Sequence, residues 1–363
     1  MLAKKLEGRA IIHLITTQPN RYHTYKEESL AHEIKENLII DRISIAKHRN
    51  GFLDQINSFR TYYRSVRALT RNEKYDLIFC SSSRLFSSYL AKKLAVKNSC
   101  QLYLDVRDLF VDNMKEVIKN PFLKYPLNLI LKSIEKTTFS YASHINLVSK
   151  GFVSNFEKYK KANYTYYPNG IDEVFINLNQ DAKNLNQHYK VITYAGNIGE
   201  GQGLDKIVPY VAEKLSNTHK FIIIGDGSSR ASLELIIKQK KLRNVELLYP
   251  VRREELVQYY KRSHFLFLHL NDFDAFKKVL PSKIFEYGAT NIPIIAGVSG
   301  YSRSFMEENI SNCLIFDPCD IERMTQMLLD SVYYTNERLN FVKRFNRNII
   351  SQKLTDSIIS YLG

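Results

Sequence analysis

Short apolar segments alternate with longer amphipathic segments along almost the whole chain, and this pattern constrains the fold more than any other feature. The apolar segments have the length of buried strands, and the segments between them carry apolar residues at helical spacing. The predicted strands are 10–16, 38–46, 75–81, 101–106, 144–149, 190–196, 220–227, 245–250, 265–270, 292–297 and 313–316. The predicted helices are 54–72, 84–97, 121–141, 203–216, 229–241, 253–262, 282–290 and 320–332. Such alternation favours an α/β fold with parallel sheets covered by helices on both faces.

The length and one change of composition divide the chain. A chain of 363 residues exceeds the usual size of one domain, so two are expected. The segment 158–190 is polar, rich in Asn and interrupted by Pro-Asn-Gly, which is typical of a boundary. We predict an N-terminal α/β domain over 1–165 and a C-terminal α/β domain over 166–340, with two Rossmann-like sheets facing a cleft. Residues 336–363 have the pattern of one long amphipathic helix, and we expect the part over 341–363 to cross back to the first domain.

Composition argues against several classes of protein. Apolar residues make up 44% and charged residues 25% of the chain, as in ordinary soluble proteins. No apolar run approaches the roughly 20 residues that cross a bilayer, and the first apolar run, AIIHLI, is too short for a signal peptide. Cys80, Cys100, Cys313 and Cys319 lack the spacing of metal ligands, and we expect them to be reduced in a cytoplasmic protein.

A net charge of +15 predicts an anionic partner, which leaves nucleic acid, an anionic membrane surface and phosphorylated substrates open. The basic and aromatic residues of the segment 42–74 are Arg42, Lys47, Arg49, Arg60, Arg64, Arg67, Arg71 and Lys74, with Phe59, Tyr62 and Tyr63 between them. The arginines from Arg60 to Arg71 recur at helical spacing and predict a basic stripe, which with the apolar and basic helix at 121–136 suits an anionic bilayer. A solvated basic face is the alternative. The chain has no nucleic-acid-binding motif, which argues against nucleic acid.

A cluster of glycines, YAGNIGEGQG, lies between a predicted strand and a predicted helix. Its glycines are Gly196, Gly199, Gly201 and Gly203. Glycine lets a backbone pass close to a ligand, and the start of a helix offers unpaired N–H groups, so the segment predicts a phosphate site. A flexible turn is the alternative. A second turn, with Gly225 and Gly227, follows the next strand. Neither turn has the spacing of a dinucleotide fingerprint or a P-loop, which argues against a nicotinamide cofactor and a P-loop ATPase.

The segment KKVLPSKIFEYGATNIPIIAG predicts a ligand-binding carboxylate. Pro281 suits the first turn of a helix, and Lys283 and Glu286 then lie on one face of it. Because Glu286 is close to the helix start, its carboxylate could accept two hydrogen bonds from a vicinal diol such as a ribose. An ordinary Lys–Glu pair within the helix is the alternative.

Four segments in register resemble glycosyltransferase family 4, whose members have the two-domain GT-B fold. They are PNGID at 168–172, YAGNIGEGQGLDKI at 194–207, IIIGDGSSR at 222–230 and PSKIFEYGATNIPIIA at 281–296. The resemblance covers the second half well and the first half more loosely, through YDLIFCSSS and LYLDVRDLFVD. The sequence is most similar to the branch that adds N-acetylated amino sugars during bacterial O-antigen or capsule assembly.

The resemblance implies a retaining, metal-independent transferase with no cofactor, peripheral on the inner face of the cytoplasmic membrane. The implied partners are a nucleotide sugar linked to UDP, bound by the second half, and a saccharide on polyprenyl diphosphate, bound by the first half. Glu286 would hold the ribose, and the segment 249–256 would lie along the base. The implied donor-binding residues are Gly196, Asn197, Gly199, Gly201, Gln202, Gly203, Gly225, Gly227, Tyr249, Val251, Pro281, Ser282, Lys283 and Glu286. Arg60, Arg64 and Arg67 would serve the membrane or the acceptor.

Three positions depart from the family. Asn197 and Gln202 stand where many relatives have an arginine and a lysine, so two phosphate-neutralising charges are missing. Lys278 stands eight residues before Glu286, where the family has an acid near the transferred sugar. The first-domain histidine of many relatives is replaced by the segment LDVRDLF. The candidate substitutes for the missing cations are Lys283, Lys277, Lys278 and Arg252.

Asp105 and Asp108, in LDVRDLF, are the candidate catalytic carboxylates that would bind or orient the acceptor hydroxyl. A structural pair between Asp105 and Arg107 is the alternative. Asp272 and Asp274 have the spacing of a metal-binding pair, but the resemblance implies no metal site there. His13, His23 and His269 lie near strand ends and are expected to be packed or solvated. Other functions on the same fold remain open, namely a noncatalytic nucleotide-sugar-binding subunit and a nucleotide-sugar epimerase.

Overall fold

The computed structural model describes residues 2–19, 29–45, 52–111, 121–176, 178 and 188–362. Lys47, Arg49 and His23 therefore lie outside the described residues. The chain divides into two compact units. The N-terminal unit consists of Met1–Leu147, Phe156–Tyr167 and Ser351–Gly363, and the C-terminal unit consists of Val148–Asn155 and Pro168–Ile350.

Strands and helices alternate through both units. The strands are β1 (Ile12–Thr17), β2 (His32–Lys35), β3 (Leu38–Ile43), β4 (Leu77–Ser82), β5 (Gln101–Val106), β6 (His144–Leu147), β7 (Asn163–Thr165), β8 (Lys190–Ala195), β9 (His219–Ile224), β10 (Val245–Leu248), β11 (Phe265–His269), β12 (Ile294–Gly297) and β13 (Cys313–Phe316). The helices are α1 (Leu2–Lys5), α2 (Phe52–Leu69), α3 (Leu85–Asn98), α4 (Pro121–Phe139), α5 (Val153–Phe156), α6 (Val208–Lys214), α7 (Arg230–Gln239), α8 (Arg253–Lys261), α9 (Ser282–Gly288), α10 (Gly300–Asn309), α11 (Ile321–Asp330), α12 (Leu339–Phe345) and α13 (Arg347–Ile359). Short 3-10 helices cover Lys150–Phe152, Glu173–Phe175, Leu204–Lys206 and Asp274–Lys278.

The described part of the N-terminal unit forms two sheets. One has the order β1-β3-β2, in which β1 and β3 are parallel and β2 pairs with β3 in the antiparallel sense. The other has the order β4-β5-β6-β7 and is parallel throughout. Strand β6 is buried along its whole length, as expected of a strand in a parallel sheet covered on both faces.

A buried polar network crosses the four-stranded sheet. His144 stacks on Tyr103 with ring centroids 4.1 Å apart. The two ring nitrogens of His144 lie 2.9 Å from the Thr165 hydroxyl and 3.0 Å from the Tyr361 hydroxyl. Tyr361 follows α13, and the Ser357 hydroxyl in that helix lies 3.1 Å from the Tyr103 hydroxyl. These contacts hold the C-terminal segment against the sheet of the N-terminal unit.

The C-terminal unit is a doubly wound sheet of six parallel strands in the order β10-β9-β8-β11-β12-β13. The order reverses between β8 and β11, and ligands of such sheets bind at the carboxyl ends of the strands at this switch point. Alternation along β11 sends side chains to both faces of the sheet. Phe265 and Phe267 pack into one hydrophobic cluster, and Leu266 and Leu268 pack into the other.

The α/β class with parallel sheets is confirmed, but one helix prediction is wrong and another differs from the structure at its start. Residues 336–363 form two helices instead of one, because the chain at Asn346 is extended and pairs with Ile171. Asn346 then caps the second helix, since its side-chain oxygen accepts the Asn348 N–H at 2.8 Å. The predicted helix over 203–216 begins as a 3-10 helix, and α6 starts only at Val208, followed by Pro209. The sequence pattern also missed the antiparallel strand β2.

No helix among the described residues is both long enough and apolar enough to span a bilayer.

Arg338 joins several segments in the interior of the C-terminal unit. It is 6% exposed, and its guanidinium donates to the carbonyl oxygens of Thr290, Ile292, Ser311 and Asn312. These carbonyls belong to the turn before β12 and the turn before β13. The cation therefore satisfies backbone acceptors that have been removed from water.

We expect Arg338→Met to lower the free energy of unfolding by about 3 kcal/mol, because buried carbonyl groups lose a charged donor. Arg323→Met, on the exposed face of α11, is the control and should change stability by less than about 0.5 kcal/mol. Urea unfolding followed by circular dichroism measures both values. Equal stabilities of the two variants would contradict the assignment.

Candidate functional site

A glycine loop, Gly196–Gly203, follows β8 directly at the switch point of the C-terminal sheet. Gly203 has a φ of +57°, in the left-handed region that favours glycine. A Cβ at Gly201 would lie 2.7 Å from the Phe276 ring, in the 3-10 helix that precedes α9. The loop is thus a closely packed backbone segment, not a loose turn.

The second glycine turn packs directly against this loop. A Cβ at Gly225 would lie 1.8 Å from the carbonyl oxygen of Gly196, so only glycine fits there. The Gly196 N–H donates to Ile224 O and the Ile198 N–H donates to Asp226 O, both at 2.9 Å. The sequence therefore identified two glycine turns that the fold brings together.

Asn197 and Gln202 hydrogen-bond to each other across the glycine loop. The Asn197 amide nitrogen donates to the side-chain oxygen of Gln202 at 2.7 Å, and the Gly199 N–H donates to the same oxygen at 3.3 Å. The two positions at which the sequence resemblance led us to expect cations therefore form a neutral amide pair that closes the loop on itself.

His269 and Asn271, at the end of β11, hold the other side of the loop. His269 is fully buried; its Nδ1 donates to Gln202 O at 2.6 Å, and its Nε2 accepts the Cys319 N–H at 2.9 Å. These partners require a neutral ring protonated on Nδ1, in agreement with burial, which lowers the pKa of His269 to about 4. The Asn271 side chain donates to Glu200 O at 2.9 Å, and its oxygen accepts Lys206 Nζ at 3.2 Å.

Glu286 lies on α9, the helix that follows β11, and two donors meet at one of its oxygens. Oε1 accepts the Tyr260 hydroxyl, and Lys283 Nζ lies 2.7 Å from the same atom. The Lys–Glu pair within the helix is thus present, as the alternative interpretation predicted. The neighbouring Tyr287 hydroxyl accepts the Ala195 N–H at 3.2 Å, which ties α9 to the residue just before the glycine loop.

Tyr260 is the residue of this group that sequence analysis missed. Its side chain is fully buried, its hydroxyl reaches Glu286, and its ring lies edge-on to Tyr287 at 5.6 Å. Burial raises the pKa of Tyr260 well above its usual value, so the hydroxyl stays a donor. No local pattern on α8 marks it, because its partners lie on a helix more than twenty residues later in the chain.

The residues expected along the base have different environments. The Tyr249 ring is exposed and is covered on one face by the Arg230 guanidinium, 4.0 Å from the ring centroid. Arg230 itself donates to Gly225 O at 2.5 Å and to Leu248 O at 2.8 Å, which fixes the end of β10 beside the second glycine turn. Val251 packs against the hydrophobic core.

The structure gives the positions of the start of α9 and of the basic residues that could replace the missing loop charges. Pro281 caps α9, with extended backbone, and Ser282 is the first helical residue. Lys277 pairs with Asp274 at 2.7 Å, and Lys278 Nζ donates to Asn155 Oδ1 at 2.7 Å. Arg252 is exposed at the start of α8. Lys206, which sequence analysis did not single out, donates to Asn271, whose amide in turn donates to Glu200 O in the loop.

In the N-terminal unit the two candidate catalytic carboxylates differ strongly. Asp105 is 1% exposed, and its oxygens accept Ser81 at 2.6 Å, Arg107 at 2.9 Å and Asn146 at 2.7 Å. The structural pair with Arg107 is therefore present. Asp108 is half-buried, and its Oδ1 accepts the Leu109 N–H at 2.8 Å.

The predicted basic stripe is exposed on α2. Arg60, Arg64 and Arg67 are exposed, whereas Val66 on the opposite side is buried in the core. On α4 the exposed side chains include Tyr125, Leu129 and Ile130 as well as Lys132 and Lys136. Helix α4 thus presents apolar and basic side chains to solvent together.

Comparisons with known proteins agree with this architecture. Residues 176–346 match the family model described as glycosyl transferases group 1, and they contain the whole six-stranded sheet. A protein of Escherichia coli (strain K12), provisionally named as the colanic acid biosynthesis glycosyl transferase WcaI, is 24% identical over 238 residues, 62% of this chain and 57% of that protein. The chain therefore spans little more than half the length of this curated relative.

Solved structures show the same fold. Sucrose-phosphate synthase from Thermosynechococcus elongatus is similar with a TM-score of 0.74 at 14% identity, over 98% of this chain and 90% of that one. HepE of Anabaena, in complex with UDP, is similar with a TM-score of 0.64 at 14% identity, over 90% of this chain and 87% of that one. The fold is therefore of the GT-B class, as the sequence predicted.

The depressed pKa of His269 predicts that stability depends on pH. The folded-state pKa is about 4 and the ordinary value is 6.5, so the unfolded chain binds the proton more strongly. The neutral, buried ring of His269 therefore makes its full contribution to the free energy of unfolding above about pH 6.5. This contribution is lost as the pH falls toward 4, and about 2 kcal/mol of it is lost at pH 5.

Urea unfolding at pH 7 and at pH 5 tests this. Between pH 7 and pH 5, the free energy of unfolding of the wild type should fall by about 2 kcal/mol more than that of His269→Gln, because the variant has no imidazole ring to protonate. Equal losses would show that the His269 ring takes up its proton in the folded protein.

Proposed function

We propose that the protein is a retaining glycosyltransferase of family 4 that transfers a sugar from a UDP-sugar to a saccharide on polyprenyl diphosphate. We propose an N-acetylated amino sugar as the donor sugar and the synthesis of a bacterial surface polysaccharide as the process. The observation that carries the proposal is the glycine loop at the switch point, tied through α9 to the Glu286 carboxylate, within the segment that matches glycosyl transferases group 1.

The donor site would work through backbone donors and a few cations. Glycines in the loop Gly196–Gly203 let a diphosphate approach the backbone, and Lys206 and Lys283 supply positive charge close to it. As the glycosidic bond breaks, negative charge grows on the leaving diphosphate, and fixed dipoles and cations stabilise it without rearrangement. HepE of Anabaena, which shares this fold, has been solved in complex with UDP and with UDP-glucose, which supports a UDP-linked donor.

Glu286 would recognise the ribose. Tyr260 and Lys283 both donate to Oε1, so they hold the carboxylate in one orientation. An ionised carboxylate accepts hydrogen bonds only, which suits the two hydroxyls of a ribose.

A noncatalytic nucleotide-sugar-binding subunit is the second candidate. The neutral pair of Asn197 and Gln202 favours it, because two cations that would stabilise the leaving diphosphate are replaced by amides. The two candidates differ in turnover but share nucleotide binding.

Turnover separates the candidates. Radiolabelled UDP-N-acetylamino sugars are incubated with a polyprenyl-diphosphate-linked saccharide, and the product and the released UDP are measured. Product formation supports the transferase. Nucleotide binding without product supports the noncatalytic subunit, and release of an altered nucleotide sugar without acceptor supports an epimerase.

Two substitutions test the nucleotide site. We expect Glu286→Gln to weaken UDP binding by about 2 kcal/mol, or roughly thirtyfold, because hydrogen bonds to a charged acceptor are lost. Tyr260→Phe removes one donor to Oε1 and should weaken binding by about 1 kcal/mol.

Isothermal titration with UDP measures both effects. Glu322→Gln is the matched control, since Glu322 is an exposed carboxylate on α11 whose side chain is 78% accessible. Unchanged affinity in Glu286→Gln would remove Glu286 from the site.

The membrane assignment is tested on the basic stripe of α2. Replacing Arg60, Arg64 and Arg67 by Ser should weaken binding to phosphatidylcholine–phosphatidylglycerol vesicles by about 1 kcal/mol for each charge. The control changes Arg262, Arg323 and Lys343 to Ser, which removes the same charge from exposed positions in the C-terminal unit. Co-sedimentation measures the bound fraction, and equal losses in the two triple variants would argue against a specific membrane face.

A further inference from the structure

A cavity of about 690 Å³ lies in the C-terminal unit, at the edge of the sheet opposite the glycine loop. Its lining includes Tyr189 just before β8, Ser216 and Asn217 just before β9, and the segment 240–244 just before β10. These are the amino ends of three parallel strands, whereas the switch point lies at the carboxyl ends. The cavity is therefore distinct from the proposed nucleotide site.

Positive charge dominates the lining of this cavity. Among the residues that the structure describes, four cations line it, Lys220, Lys240, Lys241 and Arg243, against one carboxylate, Glu213. Lys240 pairs with Glu213 at 2.6 Å, and Lys220 pairs with Glu246 at 2.8 Å. Within the described ranges, Lys241 and Arg243 are exposed and have no ion pair, so two positive charges remain for a ligand.

The backbone of the segment that carries these two cations is fixed by hydrogen bonds. Lys241 has a φ of +53° at the end of α7, where its N–H donates to Lys238 O and the Leu242 N–H donates to Ile237 O. Glycine is favoured at this left-handed helix end, because a side chain crowds the backbone there. A lysine thus occupies a position where a residue without a side chain would be more stable.

Asn244 fixes the same segment through hydrogen bonds of its side chain. It is 7% exposed, and its amide nitrogen donates to Ala212 O at 2.8 Å and to His219 O at 3.0 Å. These bonds connect the segment after α7 to the end of α6 and the start of β9. The two unpaired cations are therefore carried by a rigid segment, which lowers the entropy lost when a ligand binds.

We propose that this cavity binds a phosphate-bearing ligand with at least two negative charges. Lys241 and Arg243 neutralise the phosphate oxygens by charge-assisted hydrogen bonds, and Ser216 and Asn217 offer polar contacts to the rest of the ligand. The volume accommodates a phosphorylated small molecule, since ligand pockets commonly measure about 300 to 1,000 Å³. The same chemistry fits a soluble phosphate ester and the phosphate of a lipid headgroup.

The test compares the double variant Lys241→Glu/Arg243→Glu with the control Arg262→Glu/Lys343→Glu, which makes the same change of charge at exposed positions outside the cavity. Isothermal titration with inorganic pyrophosphate is carried out at saturating UDP, so that any site at the glycine loop is occupied. Co-sedimentation with phosphatidylcholine–phosphatidylglycerol vesicles is the second assay. Circular dichroism confirms that both variants fold.

We expect the cavity variant to bind pyrophosphate at least about tenfold more weakly than the control, as loss of hydrogen bonds to charged groups implies. That result identifies a soluble phosphate ligand. Weaker vesicle binding in the cavity variant alone, with no pyrophosphate binding in the wild type, identifies a lipid phosphate. Equal behaviour of the two variants in both assays overturns the proposal. The two charge-reversal variants differ only in where the charges are changed, and both keep the glycine loop intact. The result of the test therefore does not depend on whether the loop binds UDP.

Discussion

The close approach of the two glycine turns is the constraint on which the rest of the C-terminal site depends. The backbone of the second turn reaches the carbonyl of Gly196 only because Gly225 has no side chain. Backbone hydrogen bonds then fix the loop on the β9 side, and His269 and Asn271 fix it on the β11 side. The loop is therefore held between two strands before any ligand binds. A site built in this way loses little entropy when a ligand binds.

Local patterns predicted the parts of this arrangement that have local causes. The continuous apolar run Phe265–Leu268 indicates a strand buried on both faces, and the glycine spacing indicates the turns at the switch point of the sheet. Contacts between segments that are distant in the chain produced no local sequence pattern. Tyr260 and Asn271 act through partners on other elements, so neither stood out in the sequence. The helix breaks at Asn346 because this residue pairs with Ile171, which lies far earlier in the chain. The apolar pattern of a helix continues across Asn346, so the break could not be predicted from it.

Burial separates the two carboxylates proposed for the N-terminal unit. Asp105 has hydrogen bonds to Ser81, Arg107 and Asn146, and together they join β4, β5 and β6 at their carboxyl ends. A carboxylate with this many donors is held in place and has little capacity left for a substrate hydroxyl. Asp108 is less buried and lies just beyond the end of β5. Of the two, Asp108 is therefore the better candidate for contact with an acceptor, and Asp105 is the better candidate for positioning it.

The neutral pair of Asn197 and Gln202 changes how a diphosphate could be stabilised. In the proposed chemistry, positive charge must come from residues outside the loop, because the amides close the loop by bonding to each other. Lys206 is held at the end of β11 through Asn271, and Lys283 is held at the start of α9 through Glu286. Both cations are thus attached by side-chain contacts to elements that the sheet positions. In the proposed chemistry these two anchored cations would replace the charges that the loop lacks, and charges held in place stabilise a developing anion with little reorganisation.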